Sequence, residues 1–238
     1  MSRLKPVVCF ACVHVGHEDA DLAMAQRYVQ WVKKNDAYAL LLADNHECAL
    51  PHKGHMMFSQ NMKPQEQLDY GIQLFRPIAK NIIGACTGNH AARAKKVAGI
   101  DLDKVMADRL GYLHCYFPHQ GFIEAQVGKQ SYRIAFKHGN GVGSDTFRNC
   151  KDLLRAYPAV DICVTSHTHQ LATTKHNYWD MINGKRQKHE VTFVTSGSLL
   201  NYPEYADEAG YAPQTKGFAI IWLDPRERHV SVDVSGRI

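Results

Sequence analysis

The chain has 238 residues, enough for one large domain with a substantial core, and its 45% hydrophobic and 21% charged residues exclude a disordered or fibrous class. No apolar run approaches the roughly 20 residues that cross a bilayer, and residues 1–12 lack the apolar core and cleavage site of a signal peptide, so a cytoplasmic protein without membrane contact is expected. The net charge of +5 tilts it toward anionic ligands, the seven scattered Cys suit reduced thiols, and 14 His is a high count.

Residues 7–13 form a continuous apolar run, which predicts a strand buried on both faces, followed by the loop His14-Val15-Gly16-His17. Cys9 and Cys12 would face opposite sides of that strand, which argues against a redox pair. Asp19 is the expected N-cap of a helix with Leu22, Ala25, Val29 and Val32 at helical spacing, closed by Lys33, Lys34 and Asn35. Residues 39–43 predict a second strand ending in Asp44-Asn45-His46, and strand, helix, strand in this order predict a parallel sheet. Residues 47–64 show no period and read as a loop, carrying His52, Gly54, His55, Met57 and Phe58. Pro64 opens a second helix (Leu68, Ile72, Phe75) that Pro77 ends or kinks. A third strand, residues 81–86, terminates in Thr87-Gly88-Asn89-His90, and Asp101 or Asp103 caps a short helix stopped by Gly111.

In the second half, residues 112–116, 122–127 and 132–137 are short strands between Gly or polar turns, which suggests antiparallel pairing. His138-Gly139 ends the last of them, and a helix is expected from about Ser144 to Tyr157. Residues 161–165 predict a buried strand leading into Ser166-His167-Thr168-His169. Asn183-Gly184 signals a hairpin between Tyr178-Trp179 and residues 191–194. Residues 218–223 and the alternating Val230, Val232 and Val234 supply two more strands, the last an edge open either to solvent or to a second copy. With no repeat or linker, residues 1–238 read as a single domain with two sheets.

Five polar clusters thus follow five predicted strands: His14, Asp44, Asn89-His90, His138, and His167 with His169. Ligands of α/β sheets gather beyond the carboxyl ends of the strands, so these loops are expected to converge although they span more than 150 residues. One carboxylate, one amide and several imidazoles are a donor set for two divalent metal ions, which together clamp a phosphate and acidify a water.

These blocks resemble the calcineurin-like metallophosphoesterases, whose pattern runs Asp-x-His, Gly-Asp, Gly-Asn-His-Asp/Glu, His-Gly and Gly-His-x-His. The counterparts here are Cys12-Val13-His14, Ala43-Asp44-Asn45, Gly88-Asn89-His90-Ala91, His138-Gly139 and Ser166-His167-Thr168-His169, in the same order. The resemblance implies an α/β fold, a two-sheet mixed β-sandwich flanked by helices in four layers. It implies one metal on Cys12, His14, Asp44 and His169, a second on Asp44, Asn89, His138 and His167, and His90 as the acid for the leaving group. Arg93, one helical turn on, is placed to hold a phosphate oxygen. The flavour is similar to phage or prophage members.

Two departures stand out. Cys12 replaces the family's Asp, and its softer thiolate would favour zinc or iron over manganese; the alternative is a plain core cysteine. Ala91 replaces the acidic residue after the His and removes a support for His90. His17, His46, His52 and His55 read as surface or substrate contacts, Lys95 and Lys96 as a solvated helix face. The segment Tyr202-Pro203-Glu204-Tyr205, with Tyr211-Ala212-Pro213, reads as a cover over the sheet ends, the alternative being aromatics that stack on a base. The expected function is metal-dependent hydrolysis of phosphate esters by a phosphodiesterase or nuclease, with nucleotides or nucleic acid as substrate. A phosphomonoesterase, including a protein phosphatase, and a drifted metal-binding scaffold stay open, as do the native metal and the oligomeric state.

Overall fold

A computed structural model describes residues 4–50, 59–141, 145–182, 184–202, 204–208, 210 and 212–238, with the side chains of Asp180, Ile182, Glu204 and Tyr205 left aside. His52, Gly54, His55, Met57, Phe58, Ser144, Asn183, Pro203 and Tyr211 therefore lie outside the described residues.

The first sheet is built around β1 (Lys5–Phe10), in whose alternating side chains both core layers begin. Val8 and Phe10 point to one side, Val7 and Cys9 to the other, and all four are fully buried. Parallel to β1 run β2 (Tyr38–Leu41), β3 (Ile82–Cys86) and β4 (Tyr116–Phe117); on its other edge β10 (Ile220–Leu223) and β11 (Val230–Asp233) pair antiparallel. The second sheet has β6 (Gln130–Lys137), β7 (Ile162–Thr165) and β9 (Lys185–Thr195) parallel at its centre. Antiparallel β5 (Gln120–Val127) and β8 (Ala172–Ile182) form its edges.

Helices cover the outer faces. On the first sheet lie α1 (Leu22–Asn35), α2 (Pro64–Phe75) and α4 (Leu102–Leu110), where Phe10 meets Tyr28 and Phe75 edge-on with ring centroids 6.3 and 5.3 Å away. On the second lies α5 (Arg148–Ala156), with Cys150 and Leu153 against Cys163 and Phe193. Between the sheets, Val7, Leu40, Phe136, Ile162, Val164 and Ile221 form a buried apolar layer. Burial at about 1.5–3 kcal/mol for each such side chain makes this sandwich the main source of cohesion. The four-layer α/β architecture agrees with the metallophosphoesterase resemblance drawn from the five blocks. Two short helices complete the chain: α3 (Ala91–Ala98), directly after Asn89-His90, and α6 (Glu204–Glu208).

Several boundaries differ from the sequence reading. The first strand stops at Phe10 rather than Val13, because Cys12 turns left-handed (φ 49°). The cap of α1 is Asp21, whose carboxylate accepts from Met24 N at 2.8 Å; Asp19 lies two residues too early. Residues 112–116 are mostly a 3₁₀ turn (Leu113–Cys115) before the two-residue β4, which joins the first sheet parallel, not antiparallel. The helix expected over residues 144–157 is formed over Arg148–Ala156. The hairpin is longer than its apolar residues suggested, since β8 already begins at Ala172.

Candidate metal centre

All five predicted loops leave the carboxyl ends of parallel strands, three from the first sheet (β1, β2, β3) and two from the second (β6, β7), and the two sets meet across the sandwich. Side chains stitch them together: Ser166 Oγ and His138 Nδ1 reach Leu42 O at 3.1 and 2.8 Å, and Ser198 Oγ donates to Cys12 O at 3.0 Å. The turns that aim the donors are strained. Cys12, His14, Ala43, Asp44, His167 and His169 all have positive φ, between 49° and 77°, without being glycine. Left-handed backbone costs roughly 1–2 kcal/mol per such residue, and clusters of it mark places where the fold over-determines geometry.

Asp44 sits at the middle. Its Oδ2 lies 2.8 Å from His138 Nε2, and its Oδ1 accepts from the backbone N–H of His90 at 3.0 Å. Gly88 makes this approach possible: a Cβ there would stand 2.2 Å from Asp44 Oδ1. His138 Nε2 also faces Asn89 Oδ1 at 3.0 Å and His167 Nδ1 at 3.2 Å. On the other side His14 Nε2 faces His169 Nε2 at 3.4 Å. Cys12, fully buried, is common to two groups whose donor atoms lie within 4.8 Å of one another, Cys12–His14–His169 and Cys12–Asp44–His138. The sequence reading gave the shared position to Asp44, whereas in these two groups it is the Cys12 sulfur that recurs.

The donor chemistry fits a cation. His138 Nδ1 faces a carbonyl and so carries a proton, which leaves Nε2 of the neutral ring with a lone pair aimed at two further acceptors, Asp44 Oδ2 and Asn89 Oδ1. A cation at Nε2 satisfies that convergence. Burial alone would lower His138, but the charge and hydrogen bond of Asp44 raise it. Burial and the charge of His138 bring His167 down to about 4, while burial and His14 bring His169 down to about 3, so both offer neutral nitrogens at pH 7. Burial pushes the Cys12 thiol well up, with Asp44 adding to it. Asp44 stays ionised: burial opposes this, but His138 and His90 hold its carboxyl well below the usual range.

Glu47 is the residue that sequence reasoning missed. Buried three positions after Asp44, its Oε2 accepts from His14 Nδ1 at 2.9 Å and lies 3.3 Å from His90 Nδ1. Burial raises its carboxyl, but the hydrogen bonds from His14 and His90 bring it well below the usual range. The support that Ala91 removed from His90 is thus supplied from the loop after β2. An acid three residues past a strand-end Asp was the only available signal.

Arg93 is not presented as expected. Only about a tenth exposed, it donates to Glu47 O at 3.1 Å and to His90 Nε2 at 3.1 Å. Arginine only donates, so His90 Nε2 accepts here and the ring proton sits on Nδ1, 2.8 Å from Glu47 O. His46, expected near the surface, is fully buried beside Gly71, where a Cβ would stand 2.6 Å from its Nε2. His17 is buried as well, its Nδ1 accepting from Asp19 N at 3.1 Å. Lys95 and Lys96 do lie on an exposed face of α3.

No protein-family model matches the sequence, and no curated protein matches it. The fold is similar to solved structures. Vacuolar protein sorting 29 from Entamoeba histolytica, solved with Zn2+, is 15% identical over 96% of this chain and 97% of its own, with a TM-score of 0.49. The Cryptosporidium parvum vacuolar protein sorting 29 is 15% identical over 98% of both chains (TM-score 0.46). A predicted phosphoesterase from Streptococcus pneumoniae is 12% identical over 99% of this chain and 92% of its own (TM-score 0.46). At such identities the chemistry of this chain rests on its own residues. The finer likeness to phage members finds no support in them.

Proposed function

We propose that the chain is a dinuclear-metal-dependent phosphoesterase whose substrates are phosphodiesters of nucleotides or nucleic acid. One observation carries the reading: seven donor side chains, from Cys12, His14, Asp44, Asn89, His138, His167 and His169, are brought together from loops of both sheets, with the three imidazoles other than His138 lowered toward their neutral form. Two divalent ions held there would polarise a phosphate oxygen and acidify a water. Zinc or iron suits the set better than manganese where Cys12 contributes its thiolate.

The chain's own groups do the rest. Glu47 fixes the rings of His14 and His90, so that His14 keeps its Nε2 turned to His169. His90 is the group that would protonate the leaving oxygen from Nε2, which requires the ring, with Nδ1–H committed to Glu47 O, first to take up a second proton. Arg93 occupies that nitrogen as a donor, so the role requires the guanidinium to swing off, which also frees it for a phosphate oxygen. The same Arg93–His90 contact favours a second reading, a metal-binding scaffold in which His90 is permanently engaged.

Metal content by mass spectrometry, followed by turnover of a generic diester and a generic monoester with manganese, zinc or iron, separates the two. About two ions per chain with diester turnover is expected. Two ions with neither ester hydrolysed under any metal favours the scaffold, and turnover of the monoester alone moves the substrate class to phosphomonoesters.

A further inference from the structure

The β8–β9 hairpin outruns its sheet. β7 pairs with β9 only from Ile162↔Thr192 to Thr165↔Thr195, whereas β8 and β9 stay paired out to Ile182↔Lys185. The outer part is a two-stranded ribbon with no third strand beside it, a form that is marginal by itself in water. One of its faces is committed to the fold: His176 stacks on Phe193, Tyr178 stacks on His189, and Tyr178 packs against the layer under α5.

The opposite face has a different composition. Strand alternation puts Asn177, Trp179 and Met181 of β8 on it, across from Glu190, Lys188 and Arg186 of β9. Trp179 is 58% exposed and Met181 65%, and the Arg186 guanidinium lies 4.2 Å over the Trp179 ring. Glu190 is neutralised by Lys175 at 3.0 Å, while Arg186 and Lys188 on this face, and Lys185 opposite Ile182 at the tip, have no carboxylate partner among the described residues. An exposed indole held flat by a guanidinium and rimmed by unpaired cations matches a phosphate backbone with stacking bases. A protein partner would select against the lysines.

We infer that this ribbon is a docking arm for single-stranded nucleic acid, with Arg186 and Lys188 on phosphates, Lys185 adding charge at the ribbon's tip, and the open side of Trp179 under a base. The inference rests on the phosphodiesterase reading for its choice of polymer. β9 runs parallel to β7, so its carboxyl end lies by the metal centre and its start at the far end of the sheet. Ten residue steps from Lys185 to Thr195 span roughly 33 Å. A strand of about ten stacked nucleotides, at about 3.4 Å each, is needed to touch arm and centre together. The arm therefore selects long substrates and is indifferent to small diesters.

The test is fluorescence anisotropy with a labelled phosphorothioate oligothymidylate of about thirty nucleotides, comparing the protein with the triple change Lys185→Glu/Arg186→Glu/Lys188→Glu and with Trp179→Ala. Both variants are expected to bind at least tenfold more weakly, and the triple variant's salt dependence should flatten by about two in log–log slope. Hydrolysis of a small diester should be unchanged. Equal affinity and equal slope in all three proteins would overturn the arm, as would a concentration-dependent dimer lost in the triple variant while oligonucleotide binding persists. Binding without any diester turnover leaves the arm standing and removes the enzymatic reading, so the two failures are distinguishable.

Discussion

The two ends of the second sheet are built on opposite principles. At the carboxyl ends of β6 and β7, where their loops meet those after β1 and β2, the chain accepts left-handed backbone, buries Asp44 and Glu47, and lowers imidazoles below their ordinary values. At the far end, the β8–β9 ribbon keeps regular paired backbone and leaves its cations and its indole in water. Precision at the centre is bought with stability, whereas the ribbon risks nothing of the core. Perturbations should therefore separate cleanly: changes at the centre alter stability and metal content together, and changes on the ribbon alter neither.

The largest effect is expected from Asp44→Ala, which leaves buried His138 without the carboxylate it faces at 2.8 Å. Losing one side of a buried charged pair costs about 3–5 kcal/mol, and metal content should fall from about two per chain to one or none. Chemical denaturation and mass spectrometry read the two quantities, and a variant of native stability would break the contrast. Glu47→Gln comes next, since groups that orient ligating histidines are worth about 10- to 100-fold in affinity or activity. Metal titration should show that loss with the fold intact; an unchanged titration would return Glu47 to a structural part.

pH offers an intermediate test. His167 and His169 titrate near 4 and 3 in the folded chain but at the ordinary 6.5 when unfolded. Between those values the unfolded chain takes up protons that the folded one refuses, so stability is lost as pH falls from about 6.5 toward 4. His14, also lowered, adds to the loss; His138, raised, opposes it, its contribution being present at low pH and lost as pH rises through its folded value. Three against one gives a net acid weakening of the metal-free protein, read from the urea midpoint at pH 7, 6 and 5, and a flat midpoint would sink it. The smallest effect is Ala43→Gly. With φ at 70°, glycine relieves strain that alanine carries, and a gain of about 0.5–1 kcal/mol is expected, whereas a loss would show that the Ala43 methyl packs more usefully than the strain costs.

Much of this was legible because polar residues interrupt long apolar runs at only a few places. Gly111 and Asp101 mark the ends of α4 by capping chemistry that depends on neighbours a few residues away; Gly111 was read as the stop and Asp101 as one of two candidate caps. The convergence of His14 with His169 was readable for a different reason, the regularity with which parallel strands deliver their ends to one side. Glu47 was not, since its partners His14 and His90 lie 33 and 43 residues away and no local period announces a buried acid. The engagement of Arg93 is likewise a tertiary fact: on a helical wheel it is a solvated cation, and only the loop after β2 converts it into a partner of Glu47. The first half of β8, before Tyr178, escaped notice because a ribbon with one wet face has no apolar signature there.

The polar stitches between the sheets also set the order in which the molecule can mature. Ser166 reaches Leu42 across 124 residues, Ser198 reaches Cys12 across 186, and His14 meets His169 across 155. None of these can close while either sheet is unformed, and contacts so distant in sequence form slowly. The centre is thus a late product of folding, and metal uptake during refolding should trail the recovery of secondary structure, making the ion a reporter of the completed sandwich rather than its nucleus.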